Sequence, residues 1–156
     1  MGPGESASAS DQNRAYELGQ ALAQKGWVVL TGGRAAGVMA AASAGASAAG
    51  GLTLGILPDA TASQIAPDVQ LPIITGLGSA RNAINALSCH ALVACGLGLG
   101  TVSEIALGLK AGKPVVLLPH CPLASEFFLT LSSGLLHSAE DVHQCVAQLQ
   151  TLLEQP

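Results

Sequence analysis

Short apolar runs alternate along the chain with longer stretches in which apolar residues repeat at helical spacing. Such runs are typical of strands buried on both faces of a parallel sheet, and the longer stretches are typical of the helices that cover it. Strands are predicted at residues 27–31, 52–57, 71–75, 91–95 and 114–118, and helices at residues 11–25, 36–49, 79–87, 101–111, 123–131 and 140–153. The alternation predicts an α/β fold of the Rossmann-like, doubly wound class, with helices on both faces of a parallel sheet, in a single domain over residues 1–156.

The chain is rich in glycine and poor in charge. Its 156 residues include 19 glycines, and only 10% are charged, against roughly 25% in a typical soluble domain. Because 49% of the residues are hydrophobic, the chain can form a core, which excludes a disordered protein. The glycines show no three-residue period, which excludes a collagen-like chain.

The charge balance narrows the classes of partner. Only six residues are Lys or Arg and the net charge is −4, so we expect no binding to nucleic acid, which depends on a basic surface. The longest uncharged stretches consist largely of small residues and are interrupted by glycines, so we expect no membrane-spanning segment. No charged region precedes an apolar stretch at the start, so no signal peptide is expected.

The cysteines and histidines lack the spacing of a metal site. None of the four cysteines belongs to a CxxC pair, and thiols in so aliphatic a chain are typical of a reduced, cytoplasmic protein. The four histidines show no metal-ligand spacing either, so no bound metal is expected. His120 directly follows a predicted strand and is a candidate for the rim of a site at that edge of the sheet.

Three glycine clusters each follow a predicted strand and precede a predicted helix. They are Gly32-Gly33, Gly76-x-Gly78 and Gly96-x-Gly98-x-Gly100. The carboxyl ends of parallel strands meet at one edge of a sheet, so the three loops are expected to converge on one crevice. Turns between strands and helices also favour glycine for conformational reasons alone. However, glycine lets backbone N–H groups approach a ligand, and helix N-termini carry partial positive charge, so the pattern predicts an anion site, most often for phosphate.

Arg34 and Arg81 support an anion site. Each follows a glycine loop at the predicted start of a helix, where a cation opposes the helix dipole by about 0.3–1 kcal/mol. A bound anion would offset that cost, whereas a role as a solvated surface side chain would not explain the position. Ser79 and Asn82, on either side of Arg81, are further binding candidates.

Two interpretations of Thr101 and Glu104 stay open. Thr101-Val-Ser-Glu104 matches a capping box, in which each side chain bonds the backbone of the other residue at a helix start. Alternatively, Glu104 lies one turn from the predicted phosphate loop and beside Arg81, where a carboxylate can stabilise or deprotonate a ligand hydroxyl. The two roles can coexist.

Two motifs resemble the superfamily once labelled lysine decarboxylases, which includes the Lonely Guy cytokinin-activating phosphoribohydrolases. They are Gly32-Gly33-Arg34-x-x-Gly37-Val38-Met39 and Gly98-x-Gly100-Thr101-x-x-Glu104. The superfamily motif reads Pro-Gly-Gly-x-Gly-Thr-x-x-Glu, with a catalytic arginine upstream on a helix. The resemblance implies that Arg81 and Glu104 occupy the catalytic places, although Gly96-Leu97 stands where Pro-Gly is expected.

A closer resemblance, to the molybdenum cofactor carrier protein family, covers nearly the whole chain. It rests on segments 2–4, 27–39, 50–58, 75–82, 84–88, 96–104, 111–118 and 127–128. It implies a Rossmann-fold homotetramer, with a dimer as the alternative, that binds and protects molybdopterin-type cofactor without transforming it. That cofactor carries a phosphate, which suits the predicted crevice.

The resemblance also implies a difference at the start of the chain. Relatives have an apolar strand just before Gly-Pro-Gly, whereas this sequence begins at Met1. The first strand of a doubly wound sheet is normally central, so we expect the fold to lack that strand and to leave its neighbours unpaired. A true start site upstream of Met1 is the favoured explanation.

Two functional hypotheses follow from these residues. The first is a cytoplasmic carrier or store for molybdenum cofactor, with the phosphate on the amides of residues 98–101, Arg81 as its counter-charge, and the loops at residues 32–34 and 76–79 around the remainder. The alternative is an enzyme that cleaves the N-glycosidic bond of a nucleoside 5′-monophosphate, in which Arg81 positions the nucleotide and Glu104 stabilises positive charge on the ribose. An interaction protein with a vestigial pocket would do neither.

Overall fold

The computed structural model describes residues 1–119, 121–132 and 134–154. The helices are α1 Ala9–Gln24, α2 Gly37–Ala48, α3 Arg81–Ser88, α4 Leu99–Lys110, α5 Pro122–Leu129 and α6 Val142–Glu154. The strands are β1 Val29–Thr31, β2 Thr53–Leu57, β3 Leu71–Ile74, β4 Leu92–Cys95, β5 Val115–Leu118 and β6 Leu136–Ser138, and a short 3₁₀ helix spans Gly78–Ala80. Every predicted element overlaps an observed one, while β6 and the 3₁₀ turn were not predicted.

All paired strands run parallel, but they form two separate sheets of three strands. One sheet has the order β1-β2-β3 and the other the order β4-β5-β6. Helices connect the successive strands of each sheet except β2 and β3. The predicted Rossmann-like α/β class is therefore confirmed.

Helices cover both faces of the second sheet. On β4, Val93 and Cys95 face a core that includes residues of α1, α2 and α6. The alternate residues Leu92 and Ala94 face a second core with residues of α3, α4 and α5. Because successive side chains of a strand point to opposite faces, this division shows that the sheet is doubly wound.

Strand β1 is an edge of the first sheet and β4 an edge of the second. Residues 1–3 lie along the free edge of β4 in the part of the chain described. The Met1 ammonium group donates to the Val93 carbonyl at 2.6 Å, and the Cys95 amide donates to the Met1 carbonyl at 2.8 Å. The Val38 amide, at the start of α2, donates to the Pro3 carbonyl at 3.1 Å. The opening segment therefore lies at the junction of the two sheets.

Strand β3 differs from the prediction of strands covered on both faces. All four of its residues are exposed, and it forms the outer edge of the first sheet. Pro72 suits an edge strand because proline has no N–H to donate to a further neighbour. The sequence run is as apolar as that of a buried strand, so apolarity alone did not reveal its exposure.

Candidate functional site

A cavity of about 340 Å³ opens at the junction of the two sheets. The opening segment, the end of β1 and the loop after it form one side, and α3 together with the start of α4 forms the other. The cavity therefore lies beside two of the three predicted glycine loops, those at Gly32 and at Gly98–Gly100.

The N-terminus of α4 forms one wall of this cavity. The helix begins at Leu99, and its N-cap Gly98 has no side chain to bond the first amides. A Cβ added at Gly100 would meet no atom within 4 Å, so this turn is open. The first-turn N–H groups of a helix lack partners within the helix and favour an anion. The predicted phosphate loop thus has the geometry of an anion cradle.

Of the two interpretations of Thr101 and Glu104, the capping box is not the one that the structure shows. Thr101 is the third residue of α4 rather than its cap, because the helix starts two residues earlier than predicted. Its hydroxyl is buried and has no hydrogen-bond partner among the described residues. Glu104 lies in the second turn, where its side chain contacts α3 instead of the cap. Glu104 lines the cavity, as its interpretation as a binding residue requires.

Arg81 is the first residue of α3 and is only 8% exposed. Its Nη1 lies 3.8 Å from Glu104 Oε1, and its Nε has no hydrogen-bond partner among the described residues. Burial lowers the pKa of the guanidinium, and the nearby Glu104 carboxylate opposes that shift. Arginine stays charged in proteins, so the cavity contains a buried cation with an unused donor.

Gly32 makes room for this guanidinium. A Cβ at Gly32 would come within 2.5–2.6 Å of both Nη atoms of Arg81 and within 2.6 Å of Met39 Sδ. Real side chains do not approach so closely, so a larger residue would displace Arg81. Gly32 therefore serves the site through its packing against Arg81.

Asn85 lines the cavity and was not predicted as a candidate. Its Nδ2 donates to Glu104 Oε1 at 2.7 Å, and its Oδ1 is buried without a partner among the described residues. Asn85 is four residues after Arg81, so both lie on one face of α3. The four-residue spacing from Arg81 is visible in the sequence and could have identified Asn85 as a candidate.

Arg34 is placed differently from the prediction. Helix α2 begins only at Gly37, so Arg34 does not lie at a helix start and the helix-dipole argument does not apply to it. Its side chain is 44% exposed and donates from Nε and Nη2 to the two oxygens of Asp59, at 2.9 and 2.7 Å. This pairing raises the pKa of Arg34 and lowers the pKa of Asp59. Arg34 lines the cavity, but its charge is already paired.

The other predicted residues divide between the cavity and its surroundings. Asn82 lines the cavity, and its Nδ2 donates to Ser103 Oγ at 2.8 Å. Gly96 lines a second cavity. Four predicted site residues line neither cavity in the described parts of the chain. They are Gly33, Gly76, Gly78 and Ser79.

The cysteines and the possible metal ligands form no cluster among the described residues. All four cysteines are free, and two of them, Cys95 and Cys145, are buried. Among the described residues, no group of three or more His, Cys, Asp or Glu side chains could hold a metal ion. In the same residues, no helix combines the length and apolarity needed to cross a membrane. His120 lies outside the described residues.

Comparison with known proteins places the chain in a family. A family model described as the SLOG cluster4 family matches residues 1–152. The chain belongs to this family. The match spans both sheets and every residue of the cavity.

Two solved structures are similar over nearly the whole chain. The molybdenum cofactor binding protein from the phototrophic bacterium Rippkaea orientalis is 48% identical, with a TM-score of 0.96 over 98% of this chain and 94% of that chain. The molybdenum cofactor carrier protein of Chlamydomonas reinhardtii is 51% identical, with a TM-score of 0.94 over 99% of this chain and 96% of that chain. An uncharacterized protein of Archaeoglobus fulgidus is 44% identical over 105 residues, which is 67% of this chain and 68% of that relative. The resemblance to molybdenum cofactor carrier proteins is confirmed.

Proposed function

We propose that this protein binds molybdenum cofactor and carries it without transforming it. The observation that carries the proposal is the buried, incompletely bonded cation Arg81 beside the open N-terminus of α4. A buried donor without a partner costs free energy unless a ligand or water satisfies it, so this arrangement favours a bound anion. The two structural relatives described as binding or carrying molybdenum cofactor support that identity for the anion.

The residues present fit a phosphate-bearing cofactor. Arg81 and Thr101 would hold the phosphate together with the amides of residues 98–101, where the glycines leave the backbone open. Met39 and Leu92 also line the cavity and offer apolar surface to a ring system. The cofactor would supply the molybdenum chemistry to an acceptor enzyme, and the protein's own residues would bind, orient and shield it.

Retention of the cofactor is the direct test. The purified protein is incubated with molybdenum cofactor and passed over a gel-filtration column, and co-eluting pterin and molybdenum are measured. We expect retention at a fixed ratio to protein. Loss of both signals from a folded wild-type protein would refute the carrier function.

A second candidate function rests on the Arg81–Glu104 pair. At an anion site the Arg81 guanidinium can hold the phosphate of a nucleoside 5′-monophosphate. The Glu104 carboxylate, 3.8 Å away, can stabilise positive charge on the ribose, as hydrolysis requires. In this structure Glu104 is also bonded to Asn85, which restrains it. Release of base from AMP or an N6-substituted analogue, abolished by Glu104→Gln, would establish hydrolysis; absence of release at high enzyme concentration would leave the carrier as the function.

We also propose that the protein is a homo-oligomer, with a tetramer favoured over a dimer by the family resemblance. The exposed strand β3 presents Leu71, Ile73 and Ile74, each about half exposed (48%, 46% and 45%), with no charged residue between them. Exposed apolar patches of this kind often mark protein interfaces. Light scattering after gel filtration should give a multiple of the 15.5 kDa chain mass, and Ile73→Lys should lower it.

We place the protein in the cytoplasm. Its four cysteines are free thiols. Free thiols suit the cytoplasm, because that compartment is reducing and disulfides rarely form there. Cell fractionation tests this location.

A further inference from the structure

Three residues that line the cavity each carry a buried polar atom that lacks a hydrogen-bond partner among the described residues, and the three atoms differ in chemistry. They belong to Arg81, Asn85 and Thr101, which are 8%, 6% and 2% exposed. Arg81 Nε can only donate, Thr101 Oγ1 can donate or accept, and Asn85 Oδ1 can only accept. A ligand that completes the site therefore has to offer both acceptors and a donor.

The orientation of the Asn85 amide is fixed by its neighbour. Asn85 Nδ2 donates to Glu104 Oε1 at 2.7 Å. Turning the amide by half a turn would place Oδ1 against the carboxylate, so that two acceptors would face each other. Glu104 thus holds Asn85 with its oxygen as the unsatisfied atom.

A fully ionised anion can satisfy only part of this set. Its oxygens accept from Arg81 Nε and from the Thr101 hydroxyl, but they cannot donate to Asn85 Oδ1. We propose that Asn85 is a specificity-determining residue, which selects anionic ligands that carry an O–H or N–H donor near the anionic group. The inference rests on the proposed function in one respect, namely that the anion binds beside Arg81 and Thr101.

Matched pairs of small phosphate esters test the selection. Ethyl phosphate is compared with 2-hydroxyethyl phosphate, and propyl phosphate with 3-hydroxypropyl phosphate, by calorimetry at about pH 8, where esters with a second pKa of about 6 carry no phosphate proton. Wild-type protein is expected to bind at least one hydroxylated ester about 3- to 10-fold more tightly than its partner, the gain from one added hydrogen bond.

Two near-isosteric variants separate the acceptor from the rest of the side chain. Asn85→Leu removes Oδ1 and is expected to bind both members of each pair equally. Asn85→Asp keeps an acceptor at the same place, so it should retain the preference within each pair even though its added negative charge weakens the binding of every ester. Because each result is a ratio of two ligands on one variant, a small change in stability cancels.

Three outcomes would overturn the inference: equal binding of both pairs by wild type, a preference that survives Asn85→Leu, or no binding of any ester. Cofactor retention by wild type is measured alongside. Selection without cofactor retention would reject the carrier function and leave the role of Asn85 standing. Retention without selection would reject the role of Asn85 alone.

Discussion

Arg34 and Arg81 both follow a glycine loop and both line the cavity, but the structure gives them opposite surroundings. Arg34 is half exposed and forms two short hydrogen bonds to Asp59. Arg81 is buried, lies 3.8 Å from its only carboxylate partner in the described chain, and has an unused Nε. Asp59 already neutralises the charge of Arg34, whereas the Nε of Arg81 still lacks a hydrogen-bond acceptor in the described chain.

The comparison shows that position in the sequence does not by itself identify a binding residue. An exposed ion pair contributes about 0–1 kcal/mol and can be replaced by water. A buried donor left unsatisfied costs about 1–3 kcal/mol, which a ligand can recover on binding. We therefore expect binding to depend strongly on Arg81 and weakly on Arg34.

Replacing each arginine by glutamine tests this contrast most strongly. Arg81→Gln removes the charge, and the loss of one charged hydrogen bond costs about 1.5–3 kcal/mol, so affinity for molybdenum cofactor should fall at least roughly 10- to 150-fold. Arg34→Gln is the matched control and should weaken binding by no more than about fivefold. Equilibrium binding of the cofactor measures both, and equal losses would contradict the contrast.

Two glycines next to the cavity should respond differently to the same change. Gly32→Ala forces a Cβ against the Arg81 guanidinium, so it should cost about 1–3 kcal/mol by overpacking and lower the melting temperature by roughly 2–12 °C. Gly100→Ala meets no atom and removes a helical glycine, so it should leave stability unchanged or raise it by about 0.5–1 kcal/mol. Thermal unfolding measures stability, and cofactor retention should fall in both variants. Normal retention by the folded Gly100→Ala variant would contradict the anion cradle.

The fold was predictable wherever a segment has a strong pattern of its own. Strands β4 and β5 are short aliphatic runs, and both are buried as predicted. Strand β6 was missed because its three residues, Leu136–Ser138, include a histidine and a serine and form no apolar run. Helix α4 was predicted to start late because Thr101-x-x-Glu104 matches a cap, whereas the chain is already helical at Leu99.

The site was predictable only in part. Arg81 and Glu104 were expected to meet at one sheet edge, but β3 and β4, the strands before them, lie in different sheets, and the two side chains meet because α3 packs against α4. The Arg34–Asp59 pair joins side chains 25 residues apart in two different loops, and no local sequence pattern predicts that contact. The bond from Asn85 to Glu104 spans 19 residues, although the helical spacing from Arg81 was visible.

Removing the Thr101 hydroxyl should have a smaller effect than removing Arg81. Thr101→Val keeps the shape of the side chain, and the hydroxyl makes no hydrogen bond within the described protein, so stability should not fall. If the hydroxyl bonds the ligand, affinity should fall about 2- to 12-fold, the value of one neutral hydrogen bond. Binding and unfolding measurements on the same preparation check this. A loss of stability with unchanged affinity would assign the hydroxyl to the fold instead of the ligand.

The smallest effect concerns the paired arginine and is visible in the titration of Asp59. Arg34 lowers the pKa of Asp59, so the pair stabilises the fold above the ordinary aspartate pKa, about 3.9, and this contribution is lost as pH falls through the lowered value. In Arg34→Ala the pKa of Asp59 should return toward about 3.9, which a carboxyl NMR titration detects. A saturating phosphate ester should leave the wild-type Asp59 pKa low. If it raised that pKa, Arg34 would have left the carboxylate for the ligand, and both arginines would then have to be counted as binding residues.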